Sequence, residues 1–98
     1  MPNKGETWSL YLIRCNSGQL YTGITTDVER RFTEHGEGKG AKFLRGKGPL
    51  ELVFSEQIGD RSDALKMEIK IKKLRRSEKE IMIQRGSIRL NSISQKEI

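Results

Sequence analysis

Phenols, a guanidinium, an imidazole and a carboxylate can between them move protons, hold an anion and bind a hard cation. The chain carries side chains suited to each task at a few separated points: Tyr11 and Tyr21 near its start, Arg31 and His35 soon after, and Glu68 beyond the middle. Arg31 can offer a phosphate a planar fork of N–H donors and stays charged at any working pH. Glu68 stands among Ala64, Leu65 and Ile71, and a carboxylate against an apolar helix face usually takes a charged partner or a metal. One protein carboxylate completed by waters and substrate phosphate makes a reasonable Mg²⁺ site, with Mn²⁺ as a substitute. The Tyr21 hydroxyl suits the orienting of a water or phosphate, and His35 a proton relay or phosphate contact.

Each of these residues also has a plainer reading. Strand tyrosines commonly fill core and rim with a satisfied hydroxyl, and Glu68 can simply pair with Lys72 at helical spacing. His35, just before Gly36, suits a helix C-terminal cation equally well.

The elements that must position these groups are readable from periodicity. Trp8 to Cys15 is almost wholly apolar or aromatic, Asn16, Ser17 and Gly18 supply turn chemistry, and Gln19 to Ile24 resumes an extended pattern, which predicts a β-hairpin. Apolar residues alternate on both faces of the first strand, so it belongs inside a sheet covered on both sides. Tyr11 and Tyr21 share a face only if the register pairs residues of like parity, as an odd-length loop or a bulge would arrange. Thr26 with Glu29 has capping-box spacing and opens a helix over about 27–35 that ends at Gly36. Leu50 to Ser55 reads as a third strand, and Gly59 and Asp60 as a break. A long helix follows with Asp60 as N-cap, Asp63 in its first turn and Ala64, Leu65, Ile69 and Ile71 marking the buried side. Ser77 with Glu80 repeats the capping-box spacing for a short third helix with an apolar side at Ile81 and Met82, closed by Gly86. The expected fold is α/β of the α+β type: a three-stranded, mainly antiparallel sheet flanked by helices in the order β-β-α-β-α-α. Residues 1–86 form one domain in this reading, and 87–98 a flexible tail without function.

Between the first helix and the third strand, Gly38, Gly40, Gly46 and Gly48 alternate with Lys39, Lys42, Arg45 and Lys47. This is read as a basic, flexible loop that touches nucleic-acid backbone, with an ordinary surface loop as its plainer reading. It lacks the spacing and the Lys-Ser or Lys-Thr ending of a P-loop. Nineteen lysines and arginines against thirteen acids give a net charge of +6, which favours polyanionic partners. The lone Cys15 excludes an internal disulfide and a multi-thiolate metal centre, and no apolar run is long enough to span a bilayer. With no secretory signal pattern at the amino terminus, a cytoplasmic location is expected.

Ser9-Leu10-Tyr11, Tyr21-Thr22-Gly23, Arg31, His35 and Glu68, together with the stretch from Tyr21 to Lys42, resemble the signature of the GIY-YIG nuclease superfamily and in particular its small stand-alone bacterial members. The resemblance runs from about Trp8 to Gly86. It implies cleavage of phosphodiester bonds with one divalent metal held by Glu68, and a site built of Tyr11, Tyr21, Arg31, His35 and Glu68 in which Tyr11 matches the tyrosine proposed as general base. A free phenol titrates near pH 10, so that role needs a nearby metal or cation to favour the phenolate.

The chain also departs from the family pattern. Ser9 and Leu10 replace the glycine and isoleucine of the first motif, and Thr22 replaces the isoleucine of the second. An asparagine that many active members carry on a helix after the metal glutamate has no counterpart around Glu78 to Ile83, and Asn91 comes too late to match it. Two further readings therefore stand beside the endonuclease: a non-catalytic nucleic-acid-binding module on the same fold, and a protein-interaction domain. DNA is favoured over RNA as partner, with target choice set by nucleic-acid structure or by a partner protein.

Overall fold

The computed structural model describes residues 6–88. Three strands, β1 (Trp8–Arg14), β2 (Leu20–Thr25) and β3 (Glu51–Gly59), and three helices, α1 (Val28–Gly36), α2 (Arg61–Lys72) and α3 (Arg76–Arg85), follow one another in the expected order, with a short 3-10 turn at Lys42–Leu44. The sheet is antiparallel throughout, ordered β2-β1-β3. β1 is central, as its two-sided apolar pattern requires. Leu10 and Leu12 point to one face, where they join Phe54, Ile71 of α2 and Met82 of α3. Tyr11 and Ile13 point to the other, where Leu44 closes over them with Val28 and Phe32 of α1.

Arg14 pairs with Leu20, which leaves residues 15–19 as a five-residue connection. Its odd length sets like parity across the hairpin: Tyr11 lies opposite Gly23 and Ile13 opposite Tyr21. The two tyrosines thus occupy one face as diagonal neighbours. On the other side of β1 the register with β3 slips by one residue between Leu12 and Ile13. The slip explains the run of consecutive apolar residues in β3. Leu52 serves the Tyr11 face and Phe54 the Leu12 face, although strict alternation would put both on one side.

Several expected details shift. The N-cap of α1 is Asp27, whose side chain accepts from the Arg30 amide, and not Thr26; the Thr25 hydroxyl in turn accepts from the Asp27 amide. In α3 the cap lies at Arg75, whose amide donates to Glu78, and not at Ser77. Each time the acidic partner nearest the helix start wins, because a carboxylate satisfies a free amide and meets the positive end of the helix dipole. Asp60 and Asp63 cap α2 reciprocally, as expected. Gly86 closes α3 in the left-handed conformation.

The buried stripe of α2 runs through Ala64, Met67, Glu68 and Ile71, at the i, i+3, i+4, i+7 spacing of one helical face. Ile69, expected on the inside, is 56% exposed, and on α3 Met82 is buried while Ile81 is exposed. The basic loop is pinned at Leu44, which is buried. The start of the expected tail is held as well: the Ile88 amide donates to Glu56 at 2.9 Å and its side chain packs on the core. The rest of that segment lies outside the described residues.

Candidate functional site

Beside the central strand, β1, β2, α1 and the basic loop bring four of the five expected residues together. The Tyr11 hydroxyl lies 2.8 Å from Nε2 of His35, both side chains being 2% exposed. The Tyr21 ring completes a triangle, 6.3 Å from the Tyr11 ring and 5.6 Å from the imidazole. Arg31, one turn before His35 on α1, turns its guanidinium to Glu34 at 3.0 Å while also facing the Tyr11 phenol.

The proton on His35 is fixed by its neighbours. The backbone amide of Ala41 donates to Nδ1 at 3.1 Å, so that nitrogen must be an acceptor. A neutral imidazole then carries its proton on Nε2 and donates it to the Tyr11 oxygen. Burial, followed by the charge of Arg31, lowers the His35 pKa, in keeping with the neutral form. His35 is therefore not the exposed helix-terminal cation that its position before Gly36 allowed.

Tyr11 receives a hydrogen bond and keeps its own O–H free to donate, or to be lost. Burial, the chief cause, and the adjacent Tyr21 push its pKa up to about 12; Arg31 opposes them by favouring the phenolate, and Glu68 adds to the rise. Without further positive charge Tyr11 is a protonated phenol at neutral pH.

Two glycines make this arrangement possible. A Cβ on Gly23, directly across from Tyr11, would run into the phenol oxygen and Cζ, and a Cβ on Gly40 would run into the His35 ring at Nδ1. Gly23 is visible in sequence as part of a motif, but Gly40 stands as one glycine among four in the loop. No residue-type signal sets it apart there; the structure shows that it immediately precedes the residue whose amide fixes His35.

Glu68 arrives from α2 with its side chain only 18% exposed and a long ion pair to Lys72 at 3.4 Å. The plain helical pairing is thus real, yet the carboxylate also acts on Tyr11, which places it within electrostatic reach of the phenol. Among the described residues no three His, Cys, Asp or Glu side chains gather into a metal cage. A lone, half-sheltered carboxylate with a loosely held partner fits a hard divalent cation that keeps most of its waters, and does not fit a site made wholly by protein.

The loop cations part ways. Lys39 pairs with Glu37 at 3.6 Å, and Lys42 and Arg45 are exposed, whereas Lys47 holds its ammonium 3.7 Å from the centroid of the Phe43 ring. Phe43 stacks in turn on Tyr21. This ring escaped the sequence reading, although it is the one aromatic residue inside the basic stretch.

Comparison with known proteins agrees with the fold. The model of the GIY-YIG catalytic domain matches residues 7–81. The UPF0213 protein of Cronobacter sakazakii is 60% identical over 78 residues, which cover 80% of this chain and 82% of that one. The UPF0213 protein YhbQ of Escherichia coli K12 is 58% identical over 80 residues, covering 82% and 80%. Among solved structures, the UPF0213 protein BH0048 of Bacillus halodurans superposes with a TM-score of 0.53 at 38% identity, covering 88% of this chain and 93% of that one. The protein EF2693 of E. faecalis gives 0.56 at 39%, covering 80% and 83%.

Proposed function

The chain belongs to the GIY-YIG family of catalytic domains, and from that premise we propose that it is a divalent-metal-dependent endonuclease hydrolysing phosphodiester bonds in DNA or RNA, with DNA favoured. The observation that supports this most directly is the buried Tyr11–His35 hydrogen bond set beside Arg31. A tyrosine whose oxygen accepts from a neutral histidine and faces a guanidinium has its phenolate already solvated by fixed donors, and such preorganisation is what a general base near a phosphoryl group needs.

In this reading Arg31 leaves Glu34 to hold the phosphoryl oxygens, His35 keeps the Tyr11 oxygen in place, and Tyr21 orients the water or phosphate. Glu68 would hold Mg²⁺ or Mn²⁺, which when bound supplies positive charge for phenolate, water and leaving group. Metal-free Tyr11, with its pKa near 12, is a poor base at neutral pH, so the free protein is expected to be inert until its site is loaded. The loop residues Lys39, Lys42, Arg45 and Lys47 supply backbone attraction. Target choice by nucleic-acid structure or by a partner protein, and a cytoplasmic location, are part of the same proposal. Among the described residues no helix is long and apolar enough to cross a membrane.

One observation favours a second reading, a nucleic-acid-binding module without turnover: residues 78–83 lack an asparagine, and α3 turns Glu80 toward Arg14 and Arg76. Cleavage of labelled branched and single-stranded DNA and RNA, with Mg²⁺, Mn²⁺ or chelator, separates the two. Metal-dependent scission lost by about a hundredfold or more in both Glu68→Ala and Tyr11→Phe is the expected result. Salt-sensitive binding with no scission, indifferent to Glu68, would establish the binding module instead.

A further inference from the structure

Phe43 is 41% exposed, while Leu44 beside it is buried and already anchors the turn. A phenylalanine left this open contributes little to the core, and its surroundings point to another use. Its ring lies 6.0 Å from Tyr21 at 20° between planes, and Tyr21 stands edge-on to His35 at 68°. A series of rings therefore leads from the buried Tyr11–His35 pair outward and ends at Phe43, with the Lys47 ammonium over its ring.

Resting on the nuclease reading, we propose that Phe43 is a stacking platform for an unpaired base next to the phosphate held at Arg31, and that Lys47 keeps the ring's place until the base arrives. Aromatic faces beside cations repeat the chemistry of a single strand, in which flat bases alternate with anionic phosphates. A base inside a duplex is stacked on both sides and offers no free face, so the platform selects unpaired nucleotides without reading their identity. Stacking of a base on an aromatic ring is stronger than an exposed cation–π contact, so the base displaces the ammonium. The freed lysine then turns to the adjoining phosphate, where its charge is worth more than over the ring.

The test is made in chelator, so that binding is read apart from cleavage. Short single-stranded DNA oligonucleotides carrying 2-aminopurine at successive positions are titrated against wild type, Phe43→Leu, Phe43→Tyr and Lys47→Gln, with the matching duplexes alongside. The expected result is a 2-aminopurine fluorescence change on single-strand binding, wherever along the strand the probe stands, that is lost in Phe43→Leu together with about tenfold of the single-strand affinity. Duplex binding is unchanged, Phe43→Tyr behaves as wild type, and Lys47→Gln keeps the fluorescence change but binds with a shallower salt dependence. Equal loss for single strand and duplex in Phe43→Leu, or no loss at all, overturns the platform and leaves the nuclease reading untouched. Failure of every oligonucleotide to bind overturns both.

Discussion

At Gly23 the absence of a side chain is what admits the Tyr11 phenol to the face of the sheet. Gly23→Ala is expected to displace the ring, break its bond to His35 and destabilise the protein by about 1–3 kcal/mol, as overpacking commonly does. Urea unfolding measures the loss, and cleavage should fall to the level of Tyr11→Phe. Tyr11 also carries a pH signature. Its folded pKa of about 12 lies above the ordinary value of 10, so the folded state holds a proton that the unfolded chain gives up. The resulting stabilisation, about 2–3 kcal/mol, is complete below pH 10 and fades as pH rises toward 12. Wild type should therefore lose more stability than Tyr11→Phe over that interval in parallel denaturation, and its near-ultraviolet phenolate absorbance should include one late-titrating group that the variant lacks.

Among the elements, the hairpin tip and α3 are fastened by a shared carboxylate. Glu80 accepts from both terminal guanidinium nitrogens of Arg14, at 2.8 and 3.0 Å, and from the Nε of Arg76 at 2.9 Å, while Arg76 also donates to the Gly18 carbonyl at 2.7 Å. The hydrogen bonds from Arg14 first, then Arg76, lower the Glu80 pKa to about 2. A depressed carboxylate stabilises above its unfolded pKa and loses that contribution as pH falls through the range from 4.5 toward 2. Since the side chain is one-third exposed, solvent screening leaves about 1 kcal/mol, and Glu80→Gln should lower the neutral-pH Tm and flatten the acid side of the stability profile. Only the Arg76–Glu80 pair has helical i,i+4 spacing; the grip on Arg14 and Gly18 was not legible in the sequence, because the fold alone brings them to α3. What was legible was periodic. The hairpin, the two-sided central strand and the stop at Gly86 follow from apolar spacing and glycine geometry. The caps at Thr26 and Ser77 misled because a nearer carboxylate competed, and Ile69 misled because an apolar residue on a helix is not by itself an inward one. Tyr11, Tyr21, Arg31 and His35 were legible as a set only through their joint order. Gly40 and the Ala41 amide were not, since backbone contacts leave no residue-type signal.

The molecule as a whole carries +6, and its loop cations stand on the side of the sheet where the tyrosines meet. Binding to single strands should weaken steeply with salt, each phosphate contact adding about 0.7 to the slope of log affinity against log salt. Lys42→Gln together with Arg45→Gln should reduce that slope by about 1.4 in a fluorescence anisotropy titration, with little change in thermal stability because both side chains are exposed. The same loop reaches the His35 ring through the Ala41 amide, which donates to Nδ1. While that amide stays in place, the imidazole can hold its proton only on the side of Tyr11. A segment that moves away takes the amide with it, Nδ1 is then free to become the protonated nitrogen, and Nε2 turns from donor to acceptor. The Tyr11 hydroxyl would then donate a hydrogen bond to His35 where before it received one. The position of a stretch of backbone is in this way converted into the direction of a proton, and the imidazole nitrogen resonances report which way it points.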